Sequence, residues 1–108
     1  MHIVPRIAIA SGIVALFGAA HVASAQSGSE LAQKKLCMAC HKLNEKSLGP
    51  SFKDVAKKYR GAAGAEATLA AKIRQGSKGA WGSVPMPPQS ALSDAEGKTL
   101  AAWVLSVP

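Results

Sequence analysis

The sequence feature that most constrains this fold is the run Cys37-Met38-Ala39-Cys40-His41. A Cys-x-x-Cys-His run is typical of c-type haem attachment, in which two thiols add across the two vinyl groups of one porphyrin. The spacing at a helix end lets both sulfurs reach the same porphyrin edge, and the next residue then lies beneath the iron. The pattern therefore predicts one covalently bound haem c, held by Cys37 and Cys40, with His41 as an iron ligand.

Three other kinds of site could use the same residues. A redox-active pair of thioredoxin type would need βαβ surroundings, which the sequence pattern does not indicate. A structural zinc site needs four protein ligands, and after residue 25 the chain offers only Cys37, Cys40 and His41 as good ones. A disulfide would leave the histidine without a role and would close a loop too short to constrain the chain much. Haem attachment is the interpretation that uses all three residues.

The amino terminus, residues 1–25, is predicted to be a secretory signal peptide. It has a single arginine near its start, an apolar run over residues 7–20, and an A-x-A sequence that ends at Ala25. The alternative is a transmembrane anchor, but the apolar run is short for a bilayer span and no basic cluster follows it at once. We therefore expect cleavage after Ala25, a periplasmic location, and a mature domain of residues 26–108 without a membrane span.

The mature domain is small and basic. Twelve of the 13 basic residues and all six acidic residues of the chain lie after the predicted signal peptide, which leaves a net charge of +6. With few aromatic side chains, a domain of this size has a marginal core of its own. A covalently attached porphyrin would supply a large apolar plate against which helices can pack.

Helical periodicity and capping signals predict an all-α fold. The predicted helices span residues 28–40, run from Pro50 to Gly61, span residues 65–75, and follow a capping box at residues 93–96. Trp103 is expected on the apolar face of the last helix. Glycines and prolines over residues 76–89 predict an irregular loop, and no segment alternates like a strand.

The second axial ligand is expected to be a methionine, because thioether sulfur suits haem iron and raises its potential. Met38 lies between the attachment cysteines, on the same side as His41, and cannot reach the opposite face. Met86 lies in a proline-rich segment, residues 84–88, whose fixed φ angles would hold the sulfur in place. With Met86 as ligand, both axial positions are filled, so the iron would exchange electrons without an open position for substrate or gas.

From Ser27 to Pro108 the chain resembles the small class I cytochromes c of bacteria, specifically the cytochrome c551 (cytochrome c8) group. Besides the attachment run, the matching segments are Leu48-Gly49-Pro50, Lys53-Asp54-Val55-Ala56, Gly64-Ala65-Glu66-Ala67, Trp81-Gly82, Pro85-Met86-Pro87-Pro88 and Trp103-Val104-Leu105. The resemblance implies a fold of four to five helices around one haem c, with a proline-rich methionine-ligand loop.

The resemblance also implies two further haem contacts. The Pro50 carbonyl would accept a hydrogen bond from the second ring nitrogen of His41 and so orient the ring. The Trp81 indole N–H would donate to a haem propionate, with simple packing as the alternative. Members of the group commonly have an asparagine after the Met-Pro-Pro segment that bonds the ligand sulfur. Here Gln89-Ser90 stands there, with an extra residue before the last capping box, so Gln89 and Ser90 are the candidates for that bond.

A chain of this kind is expected to be a soluble, monomeric, periplasmic electron carrier, not an enzyme. The family suggests a quinol–cytochrome c reductase of the bc1 type as donor, and a nitrite reductase or a terminal oxidase of a respiratory chain as acceptor. Most lysines are interpreted as solvated, but their summed charge would attract acidic redox partners. Nucleic acid is not expected, since few aromatic residues interleave with the basic ones. The contact is predicted to use an apolar patch at the haem edge: Met38, Ala39, Leu48, Val84, Pro85, Pro87 and Pro88.

Two other functions stay open on the sequence. One is a gas-binding or redox-enzyme haem domain whose methionine ligand is labile, and the other is a haem c subunit of a larger oxidoreductase. A methionine–iron charge-transfer band in the oxidised protein tests the first alternative, and co-purification from the native host tests the second.

Overall fold

The computed structural model describes residues 26–108 and Gly18, so the predicted signal peptide lies, apart from that glycine, outside the described residues. The elements are α1 (Gly28–Lys34), a short 3-10 helix (Cys37–Ala39), α2 (Phe52–Tyr59), α3 (Ala65–Gln75), β1 (Ser77–Gly79), β2 (Gly82–Met86) and α4 (Asp94–Ser106). Four α-helices dominate this part of the chain, which confirms the predicted, mainly helical fold. None of these helices is long and apolar enough to span a membrane.

α1 begins as predicted and ends earlier than predicted. Ser27 Oγ accepts a hydrogen bond from Glu30 N–H, and the Glu30 carboxylate accepts one from Ser27 N–H, which completes the capping box. Leu36 then adopts a left-handed conformation, with φ of 61°. A right-handed helix cannot continue through such a residue, so the prediction of one helix to residue 40 is wrong. The turn at Leu36 starts the 3-10 helix that contains both the first cysteine and the residues between the cysteines.

α2 begins two residues later than predicted. Ser51 is its N-cap, and its side chain accepts a hydrogen bond from Asp54 N–H at 3.0 Å. Pro50 therefore precedes the helix and is not its first residue, because the serine hydroxyl satisfies a free N–H group of the first turn more effectively than a proline can. The consequence is that the Pro50 carbonyl lies outside the helical hydrogen-bond pattern.

The segment predicted as an irregular loop contains a two-stranded antiparallel hairpin. Ser77 lies opposite Met86 and Gly79 opposite Gly82, with an irregularity between the two pairs. The two glycines have φ of 84° and 117°, which only glycine adopts readily, and they flank a two-residue turn. Pro85 is tolerated in β2 because both strands of such a ribbon are edges. The expectation that this segment contains no strand is therefore wrong, and the hairpin makes a regular support for Met86.

α4 is the central packing element of the described domain, since it contacts α1, α2 and α3. A Cβ atom at Gly28 would lie 2.2 Å from Trp103 Cβ, so the glycine is what lets α1 approach α4 closely. The Trp103 ring also meets Phe52 edge-on, with ring centroids 5.0 Å apart. The buried apolar side chains are Leu31, Ala32, Phe52, Val55, Ala56, Leu69, Ala70, Leu92, Leu100, Ala101, Val104 and Val107.

An arginine connects the carboxyl end of α4 to the end of α2. Arg60, which follows α2, donates from Nε to the Leu105 carbonyl at 3.1 Å and from Nη2 to the Val107 carbonyl. Both acceptors belong to the end of α4, where carbonyls have no helical partner and a positive charge is favourable. The contact holds α2 and α4 together at the end of the domain where the chain finishes.

Candidate haem site

One cavity of the described domain is lined by every residue that was predicted to hold haem. Its volume is about 300 Å³, and its wall includes Cys37, Cys40, His41, Pro50, Trp81 and Met86. The other lining residues are mostly apolar and come from α2, α3, α4 and the hairpin, including Phe52, Leu69, Ile73, Leu100 and Val104. Two thiols, an imidazole and a thioether around one largely apolar cavity are the donor set that a His/Met-ligated haem c needs.

The orientation of the His41 ring is fixed on three sides. Its Nδ1 lies 2.7 Å from the Pro50 carbonyl oxygen, which can only accept a hydrogen bond, so Nδ1 donates and Nε2 is the nitrogen left to bind a metal. The ring stacks on Phe52, with centroids 4.9 Å apart and planes at 25°. A Cβ atom at Gly49 would lie 2.6 Å from His41 Cε1. The imidazole therefore presents Nε2 in a defined direction, as an iron ligand must.

The contact with Gly49 was not predicted from the sequence. Gly49 N–H donates to the Cys40 carbonyl at 2.8 Å, and Phe52 N–H donates to the Lys42 carbonyl at 2.9 Å. These bonds fold the loop between the attachment run and α2 back under the histidine ring. Gly49 is part of the matching segment Leu48-Gly49-Pro50. The reason for a glycine at this position, the close approach of the backbone to the His41 ring, is visible only in the structure.

The two cysteines occupy the 3-10 helix and the residue after it. His41 N–H donates to the Cys37 carbonyl at 3.0 Å, which closes the turn and brings the first cysteine close to the histidine. The two sulfurs are not joined to each other in a disulfide, and Cys37 is half-buried while Cys40 is exposed. Burial raises the pKa of the Cys37 thiol, and a backbone hydrogen bond acts weakly in the opposite direction. Both cysteines line the cavity, where thioether bonds to a porphyrin would form.

Met86 is the last residue of β2, on the cavity wall that the hairpin forms. Its strand position is set by pairing with Ser77 on one side, and Pro87 and Pro88 restrict the chain after it. A Cβ atom at Gly76, where φ is 80°, would lie 2.7 Å from the Met86 carbonyl oxygen. Gly76 therefore lets the end of α3 contact Met86 and Pro88 directly.

The residues after Met86 have hydrogen bonds of their own. The Gln89 side-chain amide donates to the Pro87 carbonyl at 3.3 Å, and Gln89 N–H donates to the Ile73 carbonyl at 3.1 Å. Ser90 lies in an exposed turn. A bond from either residue to the Met86 sulfur stays a prediction.

Trp81 lies in the hairpin turn, between the two strands and on the cavity wall. Lys58 Nζ lies 4.8 Å from the centre of its ring and 5.6 Å from that of Tyr59, so the lysine makes cation–π contacts with both. The sequence indicates that most lysines are solvated, and it does not predict these two contacts of Lys58. A hydrogen bond from Trp81 to a haem propionate stays a prediction.

Comparison with known proteins gives one consistent family. The sequence model of the cytochrome c family matches residues 25–108. Cytochrome c-552 of Hydrogenobacter thermophilus is 52% identical over 95 residues, which cover 88% of this chain and 94% of the relative. Cytochrome c-551 of Pseudomonas aeruginosa is 54% identical over 82 residues, or 76% of this chain and 78% of the relative. The crystal structure of Nitrosomonas europaea cytochrome c552 matches with a TM-score of 0.72 at 46% identity, covering 74% of this chain and 99% of that one.

Proposed function

Because this chain belongs to the cytochrome c family, we propose that it carries single electrons between periplasmic redox proteins, with His41 and Met86 as the two axial ligands of its haem iron. Membership of the family means one covalently bound haem c, and the relatives are electron carriers rather than enzymes. The class I cytochrome c fold and the relationship to the c-551 and c-552 proteins agree with the resemblance noted in the sequence.

The observation that carries the proposal is the shared cavity of His41 and Met86. The imidazole has its Nδ1 proton held by the Pro50 carbonyl, and the thioether lies on the wall that the hairpin forms. A strong nitrogen donor together with a soft sulfur donor is the ligand pair of electron-carrying cytochromes c. Filling both axial positions from the protein leaves little room for substrate chemistry at the iron.

Each side chain of the site has a separate task. Haem, when bound, supplies reversible one-electron chemistry at its iron. Cys37 and Cys40 would hold the porphyrin covalently, and the hydrogen bond from His41 to Pro50 fixes the ring and increases its basicity. The apolar wall, which includes Phe52 and Leu100, excludes water from the buried face of the site. A rigid, dry surrounding keeps the rearrangement that accompanies electron transfer small.

We place the docking contact at the exposed apolar residues beside the cavity. Leu48 and Val84 are 63% and 61% exposed, and Met38 is 38% exposed. A small apolar contact among basic residues suits brief encounters with acidic redox partners. The proposed partners are a bc1-type donor and a nitrite reductase or terminal oxidase as acceptor. Leu48→Lys should slow transfer, whereas Leu43→Lys, on an exposed leucine that does not line the cavity, should not. Equal rates for the two variants at low salt would contradict this docking surface.

The proposed location is the periplasm, reached by export and cleavage after Ala25. Mass spectrometry of the protein isolated from the periplasmic fraction of its host should give a mature chain that begins at Gln26 and carries one haem. A chain that retains residues 1–25 would contradict the predicted cleavage.

The axial pair is tested by absorption spectroscopy of the oxidised holoprotein. A methionine–iron charge-transfer band should be present in the wild type and lost in Met86→Ala. Met38→Ala is the matched control, since it removes the only other methionine after residue 25 and should retain the band. A wild-type protein without the band would contradict methionine ligation. Loss of the band in Met38→Ala but not in Met86→Ala would show that Met38, and not Met86, is the iron ligand.

A further inference from the structure

We propose that Arg74 is a positioning residue for Met86, because it anchors residues 87–93, the methionine segment, which leads from Met86 into α4. The inference rests on the proposed ligation by Met86 and adds a residue that is not on the wall of the cavity. In the sequence, Arg74 is one basic residue near the end of α3 among many. Its contacts in the structure separate it from the rest.

The side chain of Arg74 joins three segments. Its Nε donates to the Leu92 carbonyl at 3.1 Å, and its Nη1 forms an ion pair with Asp94 in the first turn of α4. A Cβ atom at Gly97 would lie 3.0 Å from Arg74 Cδ, so the stem of the arginine passes directly against α4 at a glycine. The guanidinium therefore links the end of α3, the end of the methionine segment and the beginning of α4.

The segment between Met86 and α4 has few other attachments. Of residues 87–93, only Leu92 is buried, at 3% exposure. Apart from Arg74, the bonds that tie these residues to the rest of the domain include that from Gln89 N–H to the Ile73 carbonyl, also at the end of α3. Before Met86, the strand pairing with Ser77 holds the chain. Met86 is thus held between a hairpin on one side and the end of α3 on the other.

Of the two Arg74 contacts, the hydrogen bond to the Leu92 carbonyl contributes more to holding the methionine segment than the ion pair with Asp94 does. The Asp94 side chain is 80% exposed, and an ion pair so open to solvent contributes little. The bond to Leu92 is partly buried, and loss of a charged donor leaves its acceptor without a partner beside the buried leucine side chain. Without Arg74 the methionine segment opens more often, and Met86 leaves the iron more often.

The test is competition for the iron by added imidazole in the oxidised holoprotein. The apparent affinity for an added ligand scales with the fraction of molecules in which the methionine position is open. Loss of the charged hydrogen bond should raise that fraction roughly tenfold, so Arg74→Met should bind imidazole about tenfold more tightly than the wild type. The loss of the methionine–iron charge-transfer band on titration reports the exchange directly.

Arg60→Met is the matched control, because Arg60 also joins a helix end to two acceptors near α4, at the end away from the methionine segment. Denaturant unfolding should show both variants destabilised, with only Arg74→Met altered in imidazole affinity. Equal imidazole affinities for the two variants would overturn the inference, because general destabilisation would then explain the result. An Asp94→Asn effect as large as that of Arg74→Met would overturn the role of the Leu92 carbonyl. A wild-type protein without the charge-transfer band would instead overturn the ligation by Met86 itself, and this inference with it.

Discussion

Replacing Gly49 by alanine should disturb the iron ligand without touching the iron. The new Cβ atom would lie 2.6 Å from His41 Cε1, 2.9 Å from Nδ1 and 3.1 Å from Nε2. Ordinary contact needs about 3.4 Å or more, so the ring must move by about 0.8 Å at its closest atom. A shift of that size, taken away from Gly49, breaks or bends the 2.7 Å bond between Nδ1 and the Pro50 carbonyl.

Two effects of Gly49→Ala should lower the free energy of unfolding. Overpacking in a tight site costs about 1–3 kcal/mol, and the lost hydrogen bond adds about 1 kcal/mol. Gly49→Ala holoprotein should therefore unfold in guanidinium with a free energy roughly 2–4 kcal/mol below that of the wild type. Because His41 would lose the acceptor that increases its basicity, the reduction potential should rise.

Gly64→Ala is the control for this experiment. Gly64 has φ of 69°, so alanine there is strained, but no atom lies within 4 Å of the added Cβ. It should lose about 1 kcal/mol of stability, with an unchanged potential. An unchanged potential in Gly49→Ala, with a loss of stability no larger than that of Gly64→Ala, would refute the account of the histidine clamp.

Three further perturbations test other parts of the structure. Leu36→Gly should raise the free energy of unfolding by about 1 kcal/mol, because glycine adopts φ of 61° without strain and the leucine side chain, 74% exposed, gives up little packing; equal or lower stability in urea would show that the turn is not strained. The pKa of Glu96 lies below its ordinary value of 4.5, chiefly through its backbone hydrogen bond at Ser93 and also through Lys35 at 3.5 Å. The stabilising effect of the Glu96 carboxylate is therefore complete above its ordinary pKa and is lost as the pH falls through its lowered pKa. Glu96→Gln should flatten the acidic part of a curve of unfolding free energy against pH, and an unaltered acidic part would count against this capping role. Lys58→Met should reduce the free energy of unfolding by about 0.5–1 kcal/mol through loss of its cation–π contact with Trp81, whereas Lys57→Met, on the preceding residue of α2, should not. Equal effects of the two substitutions would contradict the contact.

The beginnings of α1 and α4 and the end of α3 could be predicted because their causes are local, whereas the N-cap of α2 at Ser51 was missed. Ser27 with Glu30 and Ser93 with Glu96 form the capping boxes that the sequence indicates, and α3 ends at Gly76 as expected. Such signals lie within a few residues of the element that they begin or end.

The end of α1 could not be predicted in this way. Leucine has no preference for a left-handed conformation, so nothing in the residue type indicates the turn at Leu36. The hairpin was missed for a related reason, since glycines and prolines over residues 76–89 indicate irregular structure when read one at a time. Pairing of Ser77 with Met86 depends on two segments meeting, which no local pattern records.

The same distinction applies to the site. The residues proposed to bind haem were identifiable because covalent attachment requires a fixed spacing, and because the chain after residue 25 has so few soft donors. The residues that hold these haem-binding residues in place could not be identified from the sequence. Gly49 acts through its distance to an imidazole, and Arg74 acts through the Leu92 carbonyl and the Asp94 carboxylate, which lie 18 and 20 residues away in sequence.

Ligation of the iron by Met86 is the central claim, and NMR of the reduced holoprotein with labelled methionine methyl groups tests it most directly. Only Met38 and Met86 follow residue 25, so the mature protein gives two such signals to assign. A methyl group bound through sulfur above the porphyrin plane is shifted far upfield by the ring current. The account predicts one strongly shifted methyl signal that disappears in Met86→Ala. Two signals at ordinary positions, or a shifted signal that survives in Met86→Ala, would contradict it.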